Sequence, residues 1–347
     1  MAHQTTLEKC FKNGNMKIKI DQISYYTPSR SVNNLEVESQ INQKDDLIPY
    51  GTLNRVFGIE NRHFADKEEM ASDLAVKAAM PIVNKNGADS IDYLIFASAC
   101  SDLIEPATCN IVQYKLGLKC PAVDIKNACN SFVSAITHAS SLIECGIYKN
   151  ILIVNGEKLS DAIQFNPGNT ENLKKHFAAY SLGDAGVAML LTASNATEKS
   201  SIEYQSSYTN GNHWNLCTIK GGGSMFPHDT SKNYFEGHTS ELHQVIGKEG
   251  SIFFHNSMKQ SRWQMEDINA VFTHQVSMST FNLISEITEI PTTKIHKIFP
   301  NFGNTAAASI PLSMAIALEQ GKLKRGDKIA IIGLAAGINL SLQLLIF

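Results

Sequence analysis

The stretch VDIKNACNSFVSAITHASSLIECGIYKNILIVNG, residues 123–156, decides the fold. A short apolar run leads into a polar turn that holds Cys129, and a segment with apolar residues at helical spacing follows as far as Glu144. Gly146 then interrupts the helical pattern, and a second apolar run begins at Asn150. This order of strand, helix and strand predicts an α/β unit with parallel strands, in which Cys129 lies at the start of the helix.

The second half of the chain repeats this plan in FPNFGNTAAASIPLSMAIALEQGKLKRGDKIAIIG, residues 299–333. Cys129 and Gly146 are 17 residues apart, and so are Asn304 and Gly321. A further apolar run precedes Cys129 by 32 residues and Asn304 by 30 residues. Four elements in the same order predict two copies of one α/β unit. Cys129 and Asn304 then occupy equivalent helix starts and can face each other across one site.

The repeat predicts the division of the chain. We expect an N-terminal extension at 1–15, a first half at 16–193 and a second half at 194–347. The polar, glycine-containing segment 205–250 matches nothing in the repeat and is predicted to be an insertion near the site. The predicted strands are 16–23, 91–98, 121–125, 150–154, 186–192, 270–273 and 328–333, and the predicted helices are 72–83, 130–144, 279–287 and 306–319.

Composition narrows the class of protein. The 347 residues, 43% hydrophobic and 18% charged, suit a globular protein of two domains or one two-lobed unit. A net charge of -3 gives no global attraction to nucleic acid or to an anionic membrane. The longest apolar run, 329–338, is about half the length of a membrane span, and the first residues lack the apolar core of a secretory signal. Seven cysteines without a disulfide or zinc-ligand spacing favour reduced thiols in a cytoplasmic protein, with no structural metal.

Three residues could perform chemistry, and each also has a structural interpretation. Cys129 at a helix N-terminus is expected to have a lowered pKa and to act as a nucleophile, although a buried structural cysteine is common. His274 follows an apolar strand and would point into the ligand crevice, or would simply be a hydrogen-bonded structural histidine. Asn304 could donate from its side-chain amide, or could only cap its helix.

Together the three residues suggest acyl transfer. A thiol can accept an acyl group as a thioester, and donors near it can stabilise negative charge on a second carbonyl oxygen. We expect His274 Nε2 and Asn304 Nδ2 to be two neutral donors aimed at one thioester oxygen, an arrangement that favours an enolate and hence Claisen chemistry.

Five short motifs surround or accompany these three residues: DIKNAC (124–129), SLGDAG (181–186), HQ (274–275), GNTAAASIP (303–311) and GLAAG (333–337). Through these motifs the sequence from 16 to 347 resembles the β-ketoacyl-acyl-carrier-protein synthase III family of thiolase-fold condensing enzymes. The Cys-His-Asn set is also similar to that of plant-type polyketide synthases. Thiolases carry a second cysteine in the C-terminal turn, which residues 333–337 lack, so thiolysis is disfavoured.

The resemblance implies a thiolase-like, five-layered αβαβα fold built from two duplicated halves and working as a homodimer. It implies that Cys129 is acylated and that His274 and Asn304 form an oxyanion hole for the second substrate. The backbone of Ala336 and Gly337, with the amide of Cys129, would hold the tetrahedral oxyanion. No cofactor is implied, and the substrates would be acyl-CoA or acyl-carrier-protein thioesters.

Glu105, in LIEPAT (103–108), departs from the aromatic or aliphatic residue that relatives commonly have there. In the family this position reaches across the dimer into the partner's acyl tunnel. A carboxylate there resembles the head-to-head acyl-condensing synthases, in which a glutamate acts as base. The alternative is a solvated or ion-paired loop residue.

The function expected from these observations is Claisen-type condensation in specialised lipid or polyketide metabolism. A second hypothesis is acyl transfer to an oxygen or nitrogen acceptor, with His274 as general base. A third is a non-catalytic subunit of a condensing heterodimer. The presence of Cys129, His274 and Asn304 counts against the third, because such subunits typically lose the nucleophile.

Overall fold

Two β-sheets form the centre of the computed structural model, which describes residues 17–194 and 198–347. The predicted extension 1–15 and residue 16 of the first predicted strand lie outside the described residues. The strands are β1 Ile18–Tyr26, β2 Arg30–Asn33, β3 Asn61–Phe64, β4 Tyr93–Ala97, β5 Ala122–Ile125, β6 Asn150–Glu157, β7 Ala185–Ala193, β8 Ser201–His213, β9 Cys217–Thr218, β10 Glu236–Gly237, β11 Ala270–Thr273, β12 Lys328–Ala335 and β13 Gly337–Ile346.

Helices cover both faces of the sheets. All four predicted helices are present, with ends that differ by at most three residues from those predicted. The helices are α1 Asn34–Ile41, α2 Thr52–Phe57, α3 Ala71–Asn86, α4 Thr108–Leu116, α5 Ser131–Glu144, α6 Thr170–His176, α7 Thr239–Val245, α8 Ser251–Ser261, α9 Met278–Thr288, α10 Phe299–Phe302 and α11 Ser309–Glu319.

The two sheets have the same topology. The first has the order β1-β7-β6-β4-β5, and the second has the order β8-β13-β12-β11. In each sheet the first two pairings are antiparallel and the next is parallel. A single parallel bridge between Val271 and Ile295 stands where the second sheet would have a fifth strand. The predicted duplication of one α/β unit is therefore confirmed.

The packing of side chains produces five layers. Helices α5 and α11 lie between the sheets, where Phe132 and Met314 pack in one cluster with strand residues of both sheets. Helices α3 and α4 cover the outer face of the first sheet, and α8 and α9 cover that of the second. Each fully buried Leu, Ile or Phe contributes about 1.5–3 kcal/mol to stability. No helix in the described ranges combines the length and the apolar character needed to cross a bilayer.

The predicted insertion 205–250 begins too early. Residues 201–213 form β8, which pairs antiparallel with β13 as β1 pairs with β7. The prediction was wrong because β8 is an outer strand whose residues are largely half-buried or exposed, so its sequence is polar. What remains beyond the repeat is the connection between β8 and α7, which carries the short ribbon of β9 and β10.

Candidate active site

Cys129, His274 and Asn304 line one pocket formed by both halves of the chain. The pocket encloses about 270 Å³, close to the lower end of the roughly 300–1,000 Å³ of small-molecule sites. The rest of its wall is mainly apolar, which suits a hydrocarbon ligand. Apolar wall residues include Ala99, Leu159, Ala178, Leu182, Ile219, Phe235, Leu242, Ile246, Val276 and Leu334.

The turn before α5 positions Cys129. Ala128 has φ of 47°, in the left-handed region that favours glycine. The Ser131 hydroxyl donates to the Ala128 carbonyl oxygen (2.7 Å) and accepts from the Asn127 amide (2.8 Å). These bonds hold the turn although the backbone of Ala128 is strained. Cys129 lies two residues before α5, so its predicted position at a helix start is confirmed.

The second copy has the same turn. Ala306 has φ of 42°, and the Ser309 hydroxyl donates to its carbonyl oxygen (2.8 Å). By this local geometry the equivalent of Cys129 is Ala307, whereas Asn304 lies three residues earlier. The predicted equivalence of Cys129 and Asn304 is therefore wrong, because α11 has 11 residues and α5 has 14, so equal spacings to Gly321 and Gly146 do not mark equivalent positions. Asn304 still lines the pocket with Cys129, as predicted.

The expectation of a low thiol pKa at Cys129 is wrong. The pKa of Cys129 is raised to about 12, mainly by burial and to a smaller extent by the nearby Glu157 and Cys217, while the Cys129 backbone amide acts in the opposite direction. Desolvation of the thiolate in an apolar pocket thus outweighs the helix terminus. The thiol of Cys129 is therefore neutral near pH 7. Free thiols are present at Cys100, Cys109, Cys120, Cys129 and Cys217, whereas Cys145 is disulfide-bonded and departs from the expected reduced state.

His274 is a buried, neutral imidazole. Burial lowers the pKa of His274 to about 4, and a hydrogen bond with the backbone of Ala306 opposes this shift. Its Nδ1 is 2.9 Å from Ser309 Oγ. The Ser309 hydroxyl also donates to the Ala306 carbonyl oxygen, 2.8 Å away. Nδ1 is thus engaged within the protein, and the donor role predicted for Nε2 stays a prediction.

Asn304 is fixed with its amide nitrogen free for a ligand. Its backbone pairs with the segment before β7, donating to the Ser181 carbonyl (2.8 Å) and accepting from the Gly183 amide (3.0 Å). Its side-chain Oδ1 accepts from the Ala306 amide (3.0 Å). The oxygen thus makes the contact of a helix cap, which is the structural alternative. No described residue accepts a hydrogen bond from Nδ2, so the donor role predicted for this amide stays a prediction that the geometry allows.

The remaining predicted residues fall in two places. Ala336 lines the pocket, in the turn between β12 and β13, and Gly337 follows it at the start of β13. Glu105 is exposed, in the loop before α4, and does not contact the pocket among the described residues. Within a single chain Glu105 is therefore a surface carboxylate.

Other residues of the site were not predicted. Ser309 lies inside the motif 303–311, where only Asn304 had a predicted role. The pattern Ala-x-x-Ser occurs at both 128–131 and 306–309 and is the sequence signal of the shared turn. The Gln275 side chain joins the loop after β11 to His296 and Ile298. His243 and Thr280 form a hydrogen-bonded pair (3.1 Å) in the pocket wall. No sequence signal indicated that pair.

Two family models match the chain. The model described as 3-oxoacyl-[acyl-carrier-protein] synthase III matches residues 123–211, and the model of its C-terminal region matches residues 258–346. A β-ketoacyl-[acyl-carrier-protein] synthase III of Clostridium perfringens is 30% identical over 328 residues, which cover 92% of this chain and 96% of that protein. The enzyme of the same description from Aliarcobacter butzleri is also 30% identical, over 91% of this chain and 94% of that protein.

Solved structures share the fold. The 3-oxoacyl-[acyl-carrier-protein] synthase III of Aquifex aeolicus is 27% identical with a TM-score of 0.82, over 95% of this chain and all of that one. OleA of Xanthomonas campestris is 24% identical with a TM-score of 0.87, over 96% of this chain and 98% of that one. These likenesses confirm the predicted thiolase-like fold class.

Proposed function

The chain belongs to the β-ketoacyl-[acyl-carrier-protein] synthase III family, and from this premise we propose that it condenses two acyl thioesters through an acyl group carried on Cys129. The observation that carries this proposal is the convergence of Cys129, His274 and Asn304 on one largely apolar pocket. The apolar wall suits an acyl chain. The names of the relatives support acyl-carrier-protein thioesters as substrates, and a structure of Xanthomonas campestris OleA with lauroyl-CoA supports coenzyme A thioesters. We propose that the reaction needs no further cofactor.

In the first step the thiol of Cys129 attacks the carbonyl carbon of an acyl thioester. Because the thiol is neutral at rest, its proton must leave as the new carbon-sulfur bond forms, and His274 Nε2 can take it when the ring proton is on Nδ1. The carbon-sulfur bond of the donor breaks, and the proton passes to the departing thiolate. The backbone amides of Cys129 and of the turn at Ala336 and Gly337 would hold the oxyanion.

In the second step a carbanion from another thioester attacks the acyl carbon on Cys129. The new carbon-carbon bond forms as the bond between that carbon and Cys129 Sγ breaks, and the released thiolate takes a proton from the His274 imidazolium or from solvent. Asn304 Nδ2 would donate to the oxygen of the enolate. The carbanion arises either by loss of carbon dioxide from a malonyl thioester or by loss of an α-proton. When its proton is on Nδ1, His274 can accept an α-proton at Nε2. The N–H group formed there can then donate a hydrogen bond to the enolate oxygen.

A homodimer would complete this site. The strand β5 is paired on one side only, with β4, among the described residues. Large apolar side chains lie exposed on it and on the preceding segment, including Val123 (36%), Ile104 (83%) and Tyr114 (83%). Unpaired edge strands with apolar surroundings favour pairing with another chain. Antiparallel pairing of two β5 strands would bring the loop of Glu105 to the partner, where Glu105 could act as base in head-to-head condensation.

The proposal is tested by intact-mass measurement after incubation with acyl-CoA thioesters of several chain lengths. One acyl adduct on the wild type and none on Cys129→Ala is the expected result. Cys217→Ala is the matched control, because Cys217 is the other free thiol that lines the pocket. Equal labelling of Cys129→Ala would overturn the assignment.

Acyl transfer to an oxygen or nitrogen acceptor is the second candidate, and the lone pair on His274 Nε2 favours it equally. Carbon dioxide release from a malonyl thioester, or a β-keto product from two acyl thioesters, identifies condensation. An ester or amide product without either identifies transfer.

A further inference from the structure

We propose that Ser309 is a positioning residue, which holds the proton of His274 on Nδ1 and thereby keeps Nε2 free to act as a base. This inference rests on the proposed function, because it names how one residue of that site is prepared for proton transfer. Within the motif 303–311 the sequence predicts a role for Asn304 and none for Ser309.

The argument begins with the single proton of the Ser309 hydroxyl. The Ala306 carbonyl oxygen, 2.8 Å away, can only accept, so the hydroxyl proton is committed to it. With the hydroxyl proton on that carbonyl, His274 Nδ1, 2.9 Å from the same Oγ, meets a lone pair and donates to it. A neutral imidazole has one N–H group, so Nε2 is left without a proton.

Burial makes this arrangement persistent. Ser309 is 1% exposed and His274 is 5% exposed, so water does not compete for their hydrogen bonds. Ser309 is the first residue of α11, and the strained turn at Ala306 fixes the carbonyl that accepts its proton. With the other imidazole tautomer, the Ser309 hydroxyl would have to turn from the Ala306 carbonyl to Nδ1, and that carbonyl would lose the hydroxyl's hydrogen bond.

The chemistry that follows is balanced within the site. During acyl loading Nε2 accepts the thiol proton of Cys129, and the imidazolium is stabilised through Nδ1–H and the Ser309 oxygen. The proton then moves to the departing thiolate, and His274 returns to its starting tautomer. A histidine with its proton on Nε2 would face the thiol with a donor and could not take the proton directly.

The tautomer can be read by NMR of protein labelled with ¹⁵N-histidine, with the His274 signals assigned by their loss in His274→Asn. In the wild type, Nδ1 is expected to be the protonated nitrogen. Ser309→Ala should place the proton on Nε2 in a measurable fraction of molecules, and Ser309→Thr, which keeps the hydroxyl, should restore the wild-type spectrum. The matched control is Ser313→Ala, because the buried Ser313 makes the same bond one turn later, to the Ile310 carbonyl (2.9 Å).

Kinetics give the second measurement. Ser309→Ala should slow acylation of Cys129 by about 10-fold with little change in KM, the size expected for one buried hydrogen bond, whereas Ser313→Ala should leave the rate unchanged. A proton on Nε2 in the wild type, or an unchanged spectrum in Ser309→Ala, overturns the inference even if acylation proceeds. Absence of acylation in the wild type instead contradicts the proposed function, and the NMR result stands apart from it.

Discussion

The high pKa of Cys129 predicts how the rate of its alkylation by iodoacetamide depends on pH. With a pKa of about 12, the thiolate is roughly 1 in 10⁵ of the molecules at pH 7 and roughly 1 in 10³ at pH 9. Only the thiolate reacts, so the rate should rise about 100-fold between these pH values. It should not reach a plateau below pH 10.

Other thiols would behave differently in the same experiment. An exposed cysteine with a pKa of about 8.5 would gain about 25-fold from pH 7 to 9 and then level off. A thiolate stabilised by a helix N-terminus, with a pKa near 6, would change by less than about twofold. The three cases are separated by the slope alone, without any correction for access to the pocket.

The assay is mass spectrometry of the peptide that contains Cys129, at a series of reaction times and pH values. Cys217→Ala removes the neighbouring thiol and keeps Cys129, and N-acetylcysteine in the same buffers is the reference for an ordinary thiol. A Cys129 rate that is constant within about threefold from pH 7 to 9 would refute the reasoning, because it would show that the helix terminus outweighs burial.

Three further changes have expected outcomes. His274 becomes protonated below about pH 6.5 in the unfolded chain but only near pH 4 in the folded chain, so its burial destabilises the fold as the pH falls through this range. Urea unfolding should show that the free energy of unfolding of the wild type drops by about 3 kcal/mol relative to that of His274→Asn. In Gly333→Ala the new Cβ would lie 1.9 Å from Asn130 Oδ1, so calorimetry should show a lower Tm that corresponds to a loss of about 1–3 kcal/mol in the free energy of unfolding. The control Gly223→Ala, with open space around its Cβ, should unfold like the wild type. Val123→Lys, on the free edge of β5, should halve the mass found by light scattering if that edge joins two copies, and an unchanged dimer would place the interface elsewhere.

Strands that are buried on both faces were the most predictable part of the fold. Ala270–Thr273 is predicted residue for residue, because its continuous apolar run has few alternatives. β8 was missed for the opposite reason, since an outer strand with half-exposed side chains can be polar throughout. The duplication of the unit could be read from the order of elements, but the equivalence of Cys129 with Asn304 could not, because the two central helices differ in length.

Within the site, the identity of residues was more predictable than their protonation. Cys129, His274 and Asn304 do meet in one pocket, as the sequence suggested. The pKa of Cys129 depends on burial, and the tautomer proposed for His274 depends on the hydrogen bond that Ser309 donates to the Ala306 carbonyl. Both arise from contacts between distant parts of the chain, which a local sequence pattern does not indicate. Glu105 is exposed on the surface of a single chain, and its proposed role as a base requires the second chain of a dimer.

The paired turns at Ala128 and Ala306 have a consequence for the rate of the reaction. Glycine would adopt their positive φ values without strain, yet both positions carry a residue with a Cβ, which makes the backbone stiffer. The thiol beside one turn, and the imidazole and amide beside the other, are thus preorganised. Their orientation is completed once, when the chain folds, and does not have to be found again in each turnover.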